Sequence, residues 1–329
     1  MTSLSASLVR GALLSPLKRA GRPDAALPPD RPTRPAAPVA PGPLAAYGRI
    51  CGFTESGALP LTYPHVLAFP DTMRLMTGRA FPLPVLGLVH TWIEIAPHRP
   101  VEPTEPLELT VYAQELNPHR RGTEVTMTTE ARVAGELVWE SRSGYLSRHA
   151  PRRPEPDRTR TPSAAEAGAS TPSAAEAGAS TPSAAEAGAS TPSAAEAGAN
   201  LPAPTASTAG RPGAASPEEL PARAEWSLPG DLGRRYGAVS GDRNPIHLYP
   251  LTARLFGFPR AIAHGMWTAA RCLAETRDPA AVRTVRIDFR APVLLPATVT
   301  YAADAAGDAF ALRGPGDRVH LVGAVIRKG

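Results

Sequence analysis

An acid, an amide and an imidazole fall within six residues of one another in the stretch Ser240-Gly241-Asp242-Arg243-Asn244-Pro245-Ile246-His247. A carboxyl and an imidazole have unlike pKa values, so together they can take a proton from one atom of a substrate and return one to another. Glycine and proline fix the backbone between them and apolar residues flank the run. Asp242 and His247 are therefore expected to face one small, largely buried cavity. Asn244 is expected to orient the loop or hydrogen-bond a catalytic side chain, and an Asx-type turn before Pro245 is the plainer use of it. Ser240 lacks the strand-to-helix elbow of a serine nucleophile and is expected to tighten the same turn. Further on, Gly257-Phe-Pro-Arg-Ala-Ile-Ala-His-Gly-Met266 leads into an apolar helix. At that helix start the Gly265 N–H is free of an intrahelical acceptor and sits in the positive end of the dipole, which makes it the candidate donor to a developing oxyanion.

Other chemistries fit less well. Asp242, His247 and His264 could be written as a metal site, yet their spacing matches neither a closed zinc pattern nor His-Glu-x-x-His. There is no Gly-x-Gly-x-x-Gly fingerprint for a nicotinamide, so no cofactor and no metal are expected. The net charge of +5 rests almost wholly on arginine, since Lys18 and Lys328 are the only lysines. No dense basic block argues for nucleic acid, although the charge would suit a phosphate-bearing substrate. Cys51 and Cys272 are too few and too far apart for a disulfide framework and read as buried thiols. No stretch approaches the ~20 apolar residues of a membrane span, and the run from Leu4 to Leu14 has the wrong flanks for a signal peptide. A soluble cytoplasmic protein is the expectation.

The elements that must position these residues divide the 329 residues into parts. Residues 1–43, rich in proline, alanine and arginine, are expected to be irregular. Residues 44–149 form a first domain: a helix over Tyr63–Met76 that must accommodate Pro70, then strands at Val85–Ile95, Leu107–Glu115, Glu124–Ala131 and Leu137–Leu146. Residues 161–200 are four copies of the decapeptide Thr-Pro-Ser-Ala-Ala-Glu-Ala-Gly-Ala-Ser, closed by Asn200. With proline and glycine in every unit and nothing large to bury, the repeat reads as part of a disordered linker over 150–216. The second domain, 217–329, has an apolar approach at Trp226 and short helices at Asp231–Tyr236 and Thr252–Phe256. A long central helix is expected over Ile262–Glu275, with strands at Val282–Phe289, Thr298–Ala303, Ala309–Arg313 and Arg318–Ile326. The halves echo each other: His65-Val66 opens one helix and His264-Gly265 the other, each followed by a Val/Ile strand and two prolines. His65 and His90 read as structural.

The order Tyr236, then Ser240-Gly241-Asp242-Arg243-Asn244-Pro245-Ile246-His247, then Ala253, resembles the hydratase-2 motif of MaoC-like dehydratases and R-specific enoyl-CoA hydratases. His264-Gly265-Met266 is similar to the same family. The resemblance implies an α+β double hotdog, each half a long helix wrapped by a curved antiparallel sheet, with catalysis in the C-terminal half. It implies reversible syn hydration of a trans-2-enoyl thioester of CoA or acyl-carrier protein, by Asp242 and His247 with Gly265 as oxyanion donor. His264, Met266 and Trp267 are the candidates for substrate contact, with core packing as their alternative use. Tyr249 stands where many relatives carry an acid. A hotdog thioesterase and a non-catalytic acyl-thioester binding protein are the competing readings. The fused pair is expected as a monomer or a homodimer.

Overall fold

The computed structural model describes residue 18 and residues 25–54, 57–149 and 216–328. The decapeptide repeats and the expected linker, apart from residue 216, lie outside them. Strand β1 (Thr33–Ala37) and helix α1 (Pro41–Cys51) precede α2 (Tyr63–Thr77), β2 (Val89–Pro97), β3 (Leu107–His119), β4 (Gly122–Val133) and β5 (Glu136–Arg148). The second half runs β6 (Ala222–Leu228), α3 (Leu232–Ser240), α4 (Pro245–Leu248), α5 (Pro250–Leu255), α6 (Gly265–Leu273), β7 (Val282–Phe289), β8 (Ala297–Ala303), β9 (Ala309–Arg313) and β10 (Val319–Arg327).

All ten strands join one antiparallel sheet in the order β1-β3-β4-β5-β2-β7-β10-β9-β8-β6. Read outward from its middle, each half has the same topology, its second strand innermost and its first outermost. This is the expected α+β double hotdog. The halves meet where Trp92, Ile93, Glu94 and Ile95 of β2 pair with Asp288, Ile287, Arg286 and Val285 of β7. Alternation sorts this seam into two faces. Ile93, Ile95, Ile287 and Val285 are almost wholly buried in the core, each worth up to roughly 1.5–3 kcal/mol. On the other face the Arg286 guanidinium lies 3.8 Å from the Trp92 ring centroid and pairs with Asp288 at 3.1 Å.

Several elements depart from the sequence expectation. Residues 33–37 pair with β3 instead of running irregularly, because Arg34 reaches the buried Asp71 of α2 and Thr33 bonds Thr110 at 2.9 Å. Two side-chain anchors thus offset the proline content. Pro70 lies inside α2 without ending it, in keeping with the expected helix that accommodates it. The first strand of the sheet core starts at Val89, not Val85, since Leu88 N–H closes a turn onto Val85 C=O at 3.2 Å. Residues 222–228 form a strand where only an apolar approach was expected; Ala224, Trp226 and Leu228 turn inward and Arg223, Glu225 and Ser227 outward, an alternation already visible in the sequence. Helix α6 is nine residues long rather than spanning Ile262–Glu275. Ile262 and Ala263 give their N–H groups to Ile246 and Val293 C=O at 3.1 and 2.9 Å. That ties the run-in to neighbouring segments in extended form. Both cysteines are buried free thiols, and burial pushes the Cys51 thiol up to about 12.

Candidate active site

Helix α3 is the floor on which the polar stretch lies. It ends at Gly241, whose φ of +77° is the left-handed turn that favours glycine, with Gly241 N–H on Gly237 C=O at 3.1 Å. The chain then folds back over α3. A Cβ at Gly233 would stand 1.9 Å from His247 O, and one at Gly237 would stand 2.7 Å from Asp242 O. Two glycines four apart on one helix face therefore let the acid and the imidazole approach the same surface. This pair was missed in the sequence, although the spacing was visible. Gly233→Ala is expected to displace the His247 carbonyl, lowering stability by about 1–3 kcal/mol and activity by at least ~100-fold. Gly237→Ala should do the same more mildly. Thermal melts and turnover of the two variants check the ranking.

The turn after Gly241 is closed by its own side chains. Ser240 Oγ accepts from Asp242 N–H at 3.2 Å, as expected of a turn-tightening serine. Asn244 Oδ1 accepts from Ile246 N–H at 3.4 Å and caps α4. Its main-chain N–H donates to Asp242 Oδ1 at 3.1 Å and fixes the carboxylate. The Asn244 side-chain oxygen thus serves the turn while its main-chain N–H holds the acid, and the residue also lines the cavity. Pro245 at the first turn of α4 costs no hydrogen bond.

The imidazoles are fixed in opposite tautomers. His247 Nδ1 is 2.8 Å from Ile262 O; a carbonyl only accepts, so Nδ1 carries the proton and Nε2 presents a lone pair. His264 Nε2 is 2.9 Å from Asp242 O and must donate, which leaves its buried Nδ1 as the bare acceptor. The two rings stack at 3.7 Å with 25° between planes, and Tyr236 packs against His264 at 4.9 Å. A carboxylate oxygen of Asp242 and one ring nitrogen of each histidine lie within 4.8 Å of one another. One water about 2.8 Å from each of two such groups spans that separation.

Burial sets the charge states. It raises the Asp242 carboxyl above the usual carboxylate value, against the pull of His247 and the Asn244 N–H. It lowers His247, opposed by Asp242 and by the bond to Ile262. His264 is driven further down, by burial and by the adjacent His247 ring. His264 is therefore neutral, and its 3.8 Å approach to Asp242 Oδ2 is a dipolar contact and not an ion pair.

These groups open on a cavity of about 840 Å³, the size that encloses a long small-molecule chain. Both halves line it. From the first come Val66, Phe69, Met73 and Met76 of α2; from the second come Asp242, Asn244, His247, His264, Gly265 and Met266. Gly265 and Phe289 touch, for a Cβ at Gly265 would be 3.2 Å from the Phe289 ring. As the first residue of α6, Gly265 has no intrahelical acceptor for its N–H. Trp267 is the correction: it does not line the cavity. It turns one position past the cavity face and donates from Nε1 to Ile50 O of α1 at 2.9 Å. The first half supplies polar groups that were read as structural, namely His65 and His90, together with Tyr145.

The MaoC like domain family matches residues 216–310. 3-Hydroxyacyl-thioester dehydratase X of Mycobacterium tuberculosis is 34% identical over 273 residues, covering 82% of this chain and 79% of that protein. A crystal structure of HtdX from the same organism superposes with a TM-score of 0.65 at 30% identity, over 91% of this chain and all of that one. A MaoC-like dehydratase from Phytophthora capsici shares the fold, with a TM-score of 0.63 at 17% identity over 93% and 98% of the two chains. With a relative this similar over most of its length, and with the polar stretch inside the matched region, the chain belongs to the MaoC-like dehydratase family.

Proposed function

We propose that the protein catalyses reversible syn hydration of trans-2-enoyl thioesters, and dehydration of R-3-hydroxyacyl thioesters, at Asp242 and His247. The observation that carries this reading is the convergence of the Asp242 carboxylate and the His247 imidazole, within 4.8 Å, on an apolar cavity beside a helix N-terminus. A water held between the pair faces C3 of the bound acyl group. Its oxygen bonds to C3, its proton passes to the pair, and the pair delivers a proton to C2 on the same face. Charge that collects on the thioester oxygen is met by the Gly265 N–H and the dipole of α6. Atoms balance, and no cofactor or metal enters. The neutral form of His247 offers Nε2 as acceptor, and Asn244 positions Asp242.

In this reading residues 217–329 carry the chemistry and 44–149 enclose the acyl chain, joined through 150–216. One chain already provides both halves, so a monomer suffices. Arg243 is exposed and lines the cavity, which suits the phosphates of CoA or of a carrier-protein arm. His264 and Met266 flank the acyl group near the reacting carbons. A cytoplasmic location is part of the same proposal.

The direct test follows the ultraviolet absorbance of the conjugated enoyl thioester with crotonyl-CoA and a longer trans-2-enoyl-CoA. Loss of the signal without free thiol, with an R product by chiral analysis, is the expected result. Signal loss matched by thiol release would assign a thioesterase instead, and ligand binding without turnover of CoA or carrier-protein substrates would assign a binding protein.

A further inference from the structure

The acyl side of the cavity is not uniformly apolar. His65 from α2, His90 from β2 and Tyr145 from β5 line it together. The His90 ring stacks on Tyr145 at 4.5 Å with 14° between planes and lies 6.1 Å from His65. It also contacts Phe289 at 5.0 Å, the ring that touches Gly265. The cluster therefore sits one aromatic ring away from the oxyanion donor. Tyr145 is close enough for the Asp242 charge to be felt at its hydroxyl.

The main chain at Trp92 partly offsets the effect of burial on the His90 ring. Its Nε2 is buried and has no partner among the described residues. His65 Nδ1 is likewise buried without a partner among them. Burial holds both rings neutral, pushing His65 down to about 4 and His90 to about 3. The pocket thus contains a polar ring nitrogen that a plain alkyl chain would strip of water and leave unmatched.

We infer that His90, with Tyr145 and His65 beside it, is a hydrogen-bonding subsite for a hydroxyl group carried on the acyl chain beyond the reacting carbons. The inference rests on the acyl-thioester reading of the cavity. A hydroxyl fits because it can donate as well as accept, and so can meet Nε2 in the tautomer with a lone pair there. It also has lone pairs to accept from Tyr145.

The test measures equilibrium affinity for saturated decanoyl-CoA against the same thioester with a hydroxyl at C5 or at C7, so it does not depend on turnover. One hydroxylated thioester is expected to bind about fivefold to tenfold tighter than decanoyl-CoA, the span of one well-made neutral hydrogen bond. His90→Phe should bring the ratio of affinities to one or below, while His90→Gln, which keeps an acceptor, should retain part of the preference. Equal or weaker binding of both hydroxylated thioesters would overturn the inference and leave the ring nitrogen to an ordered water. So would a preference that survives His90→Phe. Failure of the hydratase reading would show separately, as plain enoyl-CoA absorbance that never falls.

Discussion

Asp242→Asn and His247→Ala are each expected to lower kcat for enoyl thioester hydration by roughly 10²–10⁴-fold, the range removed with a positioned acid or base. On the proposed mechanism both groups hold one water and share its proton, so the losses should not add. The double variant is expected within about tenfold of the poorer single one. Multiplicative losses would mean that the two side chains act on different steps. Folding should survive Asp242→Asn, since the amide oxygen can still accept from the Asn244 N–H. The same geometry has a spectroscopic signature. Nitrogen NMR should find His247 protonated on Nδ1 and His264 on Nε2, as their carbonyl partners demand. Both titration midpoints should lie below the ordinary imidazole value of about 6.5, with His264 the lower, because the His247 ring adds to the effect of burial. A His247 midpoint above that value would show an imidazolium stabilised by Asp242, and the water could not then be activated through Nε2.

Replacing Gly265 by proline should cost roughly 10²–10³-fold in kcat, the price of one oxyanion donor. The position suits the experiment. Gly265 is the first residue of α6, where proline is tolerated, and His264 before it has φ −66° and ψ 135°, the extended backbone that a following proline prefers. Any Cβ there presses on the Phe289 ring at 3.2 Å, so Gly265→Ala is the control that keeps the N–H and adds the same contact. Activity lost by proline beyond that lost by alanine belongs to the N–H. Equal losses in the two variants would assign Gly265 to packing and remove it from the chemistry.

The site was legible where it depended on residue order. The acid, the imidazole and the helix-start glycine share one segment of chain, and glycine and proline between them announce a fixed turn. What stayed hidden depended on partners distant in sequence. Trp267 looks like a pocket residue until Ile50 O, more than two hundred residues earlier, appears at its indole N–H. His90 looks like a strand residue until β2 is seen to run beside β7 and bring it to Phe289. Strand β1 hides behind its prolines because its anchor, Asp71, belongs to another element. The length of α6 was overestimated for the same reason: the apolar character of Ile262 and Ala263 is the same in an extended run-in as in a helix. The repeated topology, by contrast, could be read from the echo of helix, Val/Ile strand and prolines in each half.

The seam between β2 and β7 also sets a clock. Asp288 is synthesised 196 residues after its partner Trp92. At about 5–20 residues per second, that is roughly ten to forty seconds on the ribosome. For that interval the edge of β2 is complete and its own cover does not yet exist, an open template for any strand nearby. Synthesis rate, and whatever shields a nascent β2, therefore bear on the yield of native protein in a way that the stability of the finished fold does not reveal.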